Sequence, residues 1–497
     1  MQQNYKSNFG HREEFSPQPH PQDQGNQYRP YRTQPNNYQD FTHPPGSQVE
    51  LRFNESVGGS KSKANFWSLL VVSGVITATL VLVIALNFRQ EFFTEQEKSE
   101  VEGVSVNSEM PTNNDEAIQE PKEEIQKPSH ISLNTLFFGD VFWGRYINDW
   151  SIASELQYAY PFSGLNSFER EKYDAWIANL ECPVTSEIIP SWQQESLLKF
   201  NCLPEYLPEA RKWFDAFSLA NNHTNNMEEV EGYLQTKKNL DKHNFQYFGH
   251  YENSSTEDIC EVVSFKGRPE FEGLSVIEKA GNEEALDEEY FVPVALCGYH
   301  NVMKLPLDNE LAEISKYARY FPTVVMPHQG AEYRLQADDY QTSYFRQMID
   351  LGADAVIGGH THSVQNTEVY EGRLIVYSLG NFIFDQQFDQ TVTSGAVVNL
   401  NFSFNYDKNL EEWSDIGESC QIHKDTCLQK AEEKKLDKLD FSIVYDMMAS
   451  DNSNKLTEKA SPELEKLILN QANWKETARE LSKKPSINSE EITDLEE

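Results

Sequence analysis

Positive charge is scarce in this sequence. Lys and Arg number 42 against 79 Asp and Glu in 497 residues, a formal net charge of −37. The imbalance is one-sided: residues before Asn65 are nearly neutral, so the acidity belongs to the remainder of the chain. A body of that sign repels a phosphate backbone, which argues against nucleic acid as a partner. Cysteine is also sparse. Its six copies are Cys182, Cys202, Cys260, Cys297, Cys420 and Cys427, and none has zinc-finger spacing. An even count confined to one part of the chain permits disulfides in an oxidising compartment. Cys420 and Cys427 bracket a short loop and are the pair expected to bond. Cys182 and Cys297 stand in apolar strand-like contexts, where a free buried thiol is equally expected. No internal repeat is present.

Long hydrophobic runs are missing with one exception. Residues 66–86, FWSLLVVSGVITATLVLVIAL, contain neither charge nor proline. About 20 apolar residues span a bilayer core as a helix, so a single transmembrane segment is expected here. Lys61 and Lys63 precede it, whereas Arg89 is followed by Glu91, Glu95 and Glu97. The positive-inside bias puts the N-terminus in the cytoplasm and the main domain outside, at the cell membrane. The placement of every cysteine after the run agrees.

Composition divides the rest. Residues 1–60 are rich in Gln, Asn, Pro and Tyr and bury no core, which reads as a disordered cytoplasmic arm. Residues 89–130 are acidic and proline-punctuated, an extended stalk. A globular domain is expected over 131–450, with 406–437 as an insertion and 451–497 as a charged helical tail. Within the domain, strands are expected at 133–138, 175–180, 216–220, 291–298, 323–326, 355–357, 374–378 and 395–404. Helices are expected at 227–243, 307–320 and 338–351. Such alternation predicts an α/β sheet with helices on its faces.

Several of these strands end on a potential ligand: Asp140, Glu181, Asn222 with His223, His328, and His360 with His362. In sheets of this kind, ligands bind beyond the carboxyl ends of the strands. One polar residue at a strand end is ordinarily a turn or cap residue. Five segments in series, delivering carboxylates, an amide and imidazoles to one rim, point instead to a divalent metal. Mixed N/O donors suit Mn, Fe or Zn. Arg145 could grip an anionic substrate group or form a structural ion pair. Glu332 could steady a ligand histidine or touch substrate. Asn381 is expected to fix the rim through hydrogen bonds.

The order GDVFWGR (139–145), NLECPVT (179–185), LANNHTNN (219–226), HQGAEY (328–333), GGHTHSVQ (358–365) and YSLGNFIFD (377–385) resembles the CapA family of poly-gamma-glutamate capsule-synthesis proteins. That family is similar in fold to calcineurin-like metallophosphoesterases, a layered α/β sandwich with a metal site at the sheet rim. The resemblance implies metal ligands at Asp140, Glu181, Asn222, His328, His360 and His362, and a catalytic role for His223. Two departures stand out. Phe142 occupies the position of a first-motif histidine, and Glu181 replaces an aspartate, so one of two metal subsites is expected to be weak. Two functions follow from the likeness. One is a membrane-tethered subunit that handles an anionic envelope polymer or its precursor, alongside polymer-synthase subunits. The other is a metal-dependent phosphoesterase or polymer hydrolase.

Overall fold

A computed structural model describes residues 127–271, 289–302, 304–422 and 424–483. The expected arm at 1–60, the membrane run at 66–86 and nearly all of the stalk lie outside these residues. Among the described residues, no helix is long and apolar enough to cross a membrane.

Among the described residues, fourteen strands form the scaffold. They are β1 (His130–Val141), β2 (Ala175–Leu180), β3 (Ala216–Ser218), β4 (Gln246–Phe248), β5 (Cys260–Glu270), β6 (Tyr290–His300) and β7 (Thr323–His328), followed by β8 (Ala355–Ile357), β9 (Thr367–Tyr370), β10 (Arg373–Val376), β11 (Asn381–Ile383), β12 (Ser394–Asn405), β13 (Phe441–Asp451) and β14 (Glu458–Lys459). Two wings meet at β1. One wing runs β14-β13-β12-β1-β2-β3-β4, and the other runs β5-β6-β7-β8-β10-β9. The junction is short: only His130–Ser132 of β1 pair with β5, while Thr135–Val141 pair in parallel with β2.

The period-two alternation of β1 explains how the wings pack. Ile131, Leu133 and Phe137 point into a core shared with β5 to β8 and β12. Leu136 and Phe138 point the other way, toward Trp176, Phe214, Tyr206 and the helix Val230–Lys242. Successive strand side chains face opposite sides, so one strand serves two apolar layers. β2, β7 and β8 are buried along their whole length, as strands covered on both faces must be. The helix Asp339–Asp350 begins where expected. Asp338 caps it by accepting from the Gln341 backbone at 2.8 Å, and Gly352 follows its end at φ +106°.

The segment 406–437 forms two helices, Lys408–Ile422 and Lys424–Lys434, which belong to the core. Trp413 is fully buried there against Tyr320 and Phe321. After β14, the helices Pro462–Gln471 and Trp474–Leu481 bury Leu464, Ile468 and Trp474. They tie to β9 through a 2.8 Å bond from the Thr367 amide to the Ala472 carbonyl.

All six cysteines are bonded: Cys182–Cys202, Cys260–Cys297 and Cys420–Cys427. The last is the pair expected from sequence. The free-thiol expectation for Cys182 and Cys297 is corrected. Cys260 and Cys297 are direct partners in the β5–β6 register. Val184 bridges to Cys202 and brings its segment beside Cys182. Both pairings depend on long-range strand register, which local sequence context does not display.

Candidate metal centre

The carboxyl ends of parallel strands converge on one buried volume. Asp140 is the penultimate residue of β1, Glu181 follows β2, Asn222 and His223 follow β3, His328 ends β7, and His360 and His362 follow β8. Asp140 and Glu181 are fully buried, and His328, His360 and His362 are nearly so. His328 Nε2 lies 2.9 Å from Asn222 Oδ1, 3.3 Å from His360 Nδ1 and 3.6 Å from Glu181 Oε1. His362 Nδ1 lies 3.5 Å from Asp140 Oδ2, and His223 Nε2 lies 3.9 Å from Glu181 Oε1. The residues read from strand ends thus share a single site.

The backbone reaches this geometry by uncommon means. His360 and His362 sit at φ +89° and +56°, a region costly for side-chain-bearing residues. The loop is pinned by bonds from the Gly359 amide to the Pro327 carbonyl, and from the Tyr333 amide to the Thr361 carbonyl. At Gly359, a Cβ would lie 3.1 Å from Asp140 Oδ1, so glycine lets the loop approach the carboxylate. At Gly139, a Cβ would collide with the Gly380 carbonyl at 1.8 Å.

Below the ligands runs a layer of amides. Asn179 donates to Asp140 Oδ1 at 2.8 Å, and Asn221 donates to Asn179 Oδ1 at 3.0 Å. Asn221 Oδ1 accepts from the His223 and Thr224 amides, holding the turn that presents Asn222 and His223. Neither amide was assigned a role from the sequence. The available signal was spacing: Asn179 and Glu181 are two apart and face the same way.

Among the described residues, three buried carboxylate oxygens have no hydrogen-bond partner: Asp140 Oδ2, Glu181 Oε1 and Glu181 Oε2. Buried polar atoms are ordinarily satisfied, and buried charges are paired or coordinate metals. Two sets of donors lie within 4.8 Å of one another: Glu181 with His328 and His360, and Asp140 with Glu181 and His362. Glu181 is common to both. The orphaned oxygens and the surrounding imidazoles fit a divalent cation, and Glu181 would serve in either set. Asn222 adds a donor beside His328, so the Glu181–His328–His360 set is the better supplied. Phe142 packs against Phe200 and Phe384 and offers no donor atom.

The electrostatics suit a cation. Burial pushes the Asp140 carboxyl up, but the His362 imidazole, 3.5 Å from Oδ2, and the neighbouring imidazoles outweigh burial and bring it to about 2. Burial, then the charge of Asp140, raises Glu181 well above the usual carboxylate range. Burial opposes the charge on His362, yet Glu181 and Asp140 prevail and raise it to about 9. Burial lowers His328 to about 4, His223 to about 3, and His360 well below its ordinary value. Asp140, Glu181 and His362 therefore compete for protons in a space where a metal would replace them.

The remaining candidates are placed as follows. Arg145 is buried, with Nε 2.9 Å from Asp385 Oδ2 and Nη2 on Asp385 Oδ1. Its guanidinium also lies 4.3 Å from the Phe200 ring centre, and Phe200 stacks on His223 at 3.7 Å. The structural ion pair is thus present, and it props the ring beside His223. Glu332 is exposed, and among the described residues no hydrogen bond joins it to a ligand histidine. Asn381 does fix the rim: its Oδ1 lies 2.9 Å from His362 Nδ1. His300 ends β6 opposite His328, and its Nδ1 lies 2.7 Å from the Tyr251 carbonyl.

The chain is similar to known proteins. The chain is 28% identical over 292 residues to the PGA biosynthesis protein CapA of Bacillus subtilis (strain 168), covering 55% of this chain and 69% of that protein. It is 26% identical over 284 residues to the capsule biosynthesis protein CapA of Bacillus anthracis, covering 55% of this chain and 65% of that protein. A shorter match, 38% identical over 58 residues, joins it to the uncharacterized protein y4sH of Sinorhizobium fredii (strain NBRC 101917 / NGR234), 12% of this chain and 13% of that one. The family described as bacterial capsule synthesis protein PGA_cap matches residues 134–386, which hold every candidate ligand, and the chain belongs to that family.

Proposed function

We propose that this chain is a membrane-anchored, extracytoplasmic protein that uses a divalent-metal site in the synthesis or export of an envelope polymer such as poly-gamma-glutamate. The observation that carries the reading is the set of orphaned carboxylate oxygens on Asp140 and Glu181 amid the imidazoles of His328, His360 and His362. Asp140, Glu181, Asn222, His328, His360 and His362 would hold Mn, Fe or Zn. When bound, such an ion supplies Lewis-acid polarisation of a carboxylate, carbonyl or phosphoryl oxygen. It also answers the acidity of the chain, because a cation in the site reverses the local potential toward a polyanion. Arg145 contributes less to that attraction, since its charge is spent on Asp385. The anchor rests on the apolar run at 66–86, and the polymer on the names of the two CapA relatives.

A second reading, a metal-dependent phosphoesterase or polymer hydrolase, draws support from one residue. His223 turns Nε2 toward Glu181 while its Nδ1 lies 2.8 Å from Asn226 Oδ1. A ring so oriented offers Nε2 to a proton at the edge of the site. His223→Ala separates the readings. Elemental analysis of the purified full-length variant, with a phosphoester and poly-gamma-glutamate turnover assay, should show retained metal in both cases. Loss of a wild-type turnover supports the hydrolase, whereas unchanged polymer production in cells supports the non-hydrolytic role. Metal-free wild-type protein from metal-replete cells contradicts both. Protease added to intact cells tests the topology: it should digest the domain after residue 89 and spare the first 60 residues.

A further inference from the structure

Two aromatic side chains stand in water beside the metal centre. Tyr333 is 43% exposed and Phe388 is 68% exposed, and their rings meet edge-to-face at 5.5 Å. The Tyr333 ring lies 5.9 Å from the imidazole of His362. Exposed aromatic rings offer a large contact area, and a tyrosine adds a polar handle. Tyr333 is also held at φ +62°, a strained conformation for a bulky residue. What holds it is a closed circuit of hydrogen bonds. Gln386 donates to the Tyr333 hydroxyl at 3.0 Å, Asn381 donates to Gln386 Oε1 at 3.1 Å, and Asn381 Oδ1 meets His362 Nδ1 at 2.9 Å. The Tyr333 amide closes the circuit on the carbonyl of Thr361, the residue before His362. The exposed ring and the buried ligand are thus parts of one rigid unit.

We infer that Tyr333 and Phe388 form a platform that takes the C–H face of one repeat unit of an anionic oligomer, whose charged group is directed to the metal centre. Two sources share that chemistry: the methylenes of a γ-linked glutamyl unit and the C–H face of an acidic sugar. The inference rests on the proposed polymer role, but its test separates the two. Tyr333 and Phe388 contact substrate, while Gln386 is a positioning residue acting through Asn381 on His362.

Full-length protein loaded with Mn²⁺ is titrated by calorimetry with a short γ-glutamyl oligomer and, separately, with a short uronic-acid oligosaccharide. Wild type should bind one of them, and Phe388→Ala and Tyr333→Ala should each weaken that binding roughly tenfold, as loss of an aromatic contact does. Mn²⁺ affinity supplies the second readout. Phe388→Ala should leave it at the wild-type value, whereas Gln386→Ala should lower it several-fold by freeing Asn381. Should Tyr333→Ala fail to fold, the exposed Phe388 and the conservative Tyr333→Phe carry the test, with Tyr333→Phe retaining oligomer binding. Binding of the oligosaccharide alone upholds the platform and overturns the poly-gamma-glutamate reading. Wild-type binding of neither oligomer, or unweakened binding by both alanine variants, overturns the platform.

Discussion

Nδ1 of His362 lies 2.9 Å from the side-chain oxygen of Asn381, and this bond leaves Nε2 as the nitrogen free to act as a ligand. The orientation of Asn381 is not free. Its amino group donates to the Val392 carbonyl at 3.0 Å and to Gln386 at 3.1 Å, so its oxygen must be the acceptor. His362 therefore carries hydrogen on Nδ1 and presents Nε2 to Glu181, 4.0 Å away. Partners of this kind orient metal-binding imidazoles, and their removal typically costs 10- to 100-fold in metal affinity. Asn381→Ala should weaken Mn²⁺ binding by roughly that factor, measured by competition with a chelator, with the circular dichroism spectrum unchanged.

Protons and metal compete for the same atoms. Without metal, Glu181 is held protonated well above the usual carboxylate range, and His362 titrates at about 9. Both must be deprotonated to act as ligands, so binding releases protons. The sign follows: affinity rises with pH while His362 is still charged, levels near pH 9, and falls on acidification. The slope should be roughly tenfold per pH unit for each proton released. His328, His360 and His223 are already neutral near pH 7 and add nothing to it. Calorimetric titration with Mn²⁺ at several values between pH 6 and 8 checks the slope, and a flat profile would refute the proton assignment.

The disulfide Cys182–Cys202 sits one residue beyond Glu181. It closes the segment that carries Phe200, which stacks on His223, and Cys202 Sγ accepts from the Trp143 amide at 3.4 Å. Native disulfides closing loops of this size contribute about 2–4 kcal/mol. The double variant Cys182→Ser/Cys202→Ser should lose thermal stability and also bind Mn²⁺ more weakly. Cys420→Ser/Cys427→Ser, in the helical layer, should lose stability with metal affinity intact. Equal effects of the two pairs on metal would show that the first has no special bearing on Glu181.

The convergence of the six candidate positions was legible because each ends an apolar run, and a polar residue there projects to the sheet rim. Most parallel strands announced themselves in the same way. Antiparallel β5 did not: Gly267 and Pro269 interrupt its pattern, and the strand persists by pairing with β6 over Cys260–Gly267 and with β1 over Arg268–Glu270. The supports of the site were hidden by distance along the chain. Arg145 and Asp385 are 240 residues apart, and Tyr333 and Gln386 are 53 apart. Nothing local to either member indicates its partner. Phe142 was legible as a departure from the metallophosphoesterase pattern, and its burial against Phe200 and Phe384 shows what replaced an imidazole there.

The central claim is that one carboxylate, Glu181, serves both groups of metal donors. Elemental analysis of full-length protein with Glu181→Gln, Asp140→Asn and His360→Ala tests it most directly. Glu181→Gln should empty the site altogether. Asp140→Asn should spare the ion held by His328 and His360, whereas His360→Ala should remove it, with circular dichroism confirming the fold in each case. Wild-type metal content in Glu181→Gln would contradict the account.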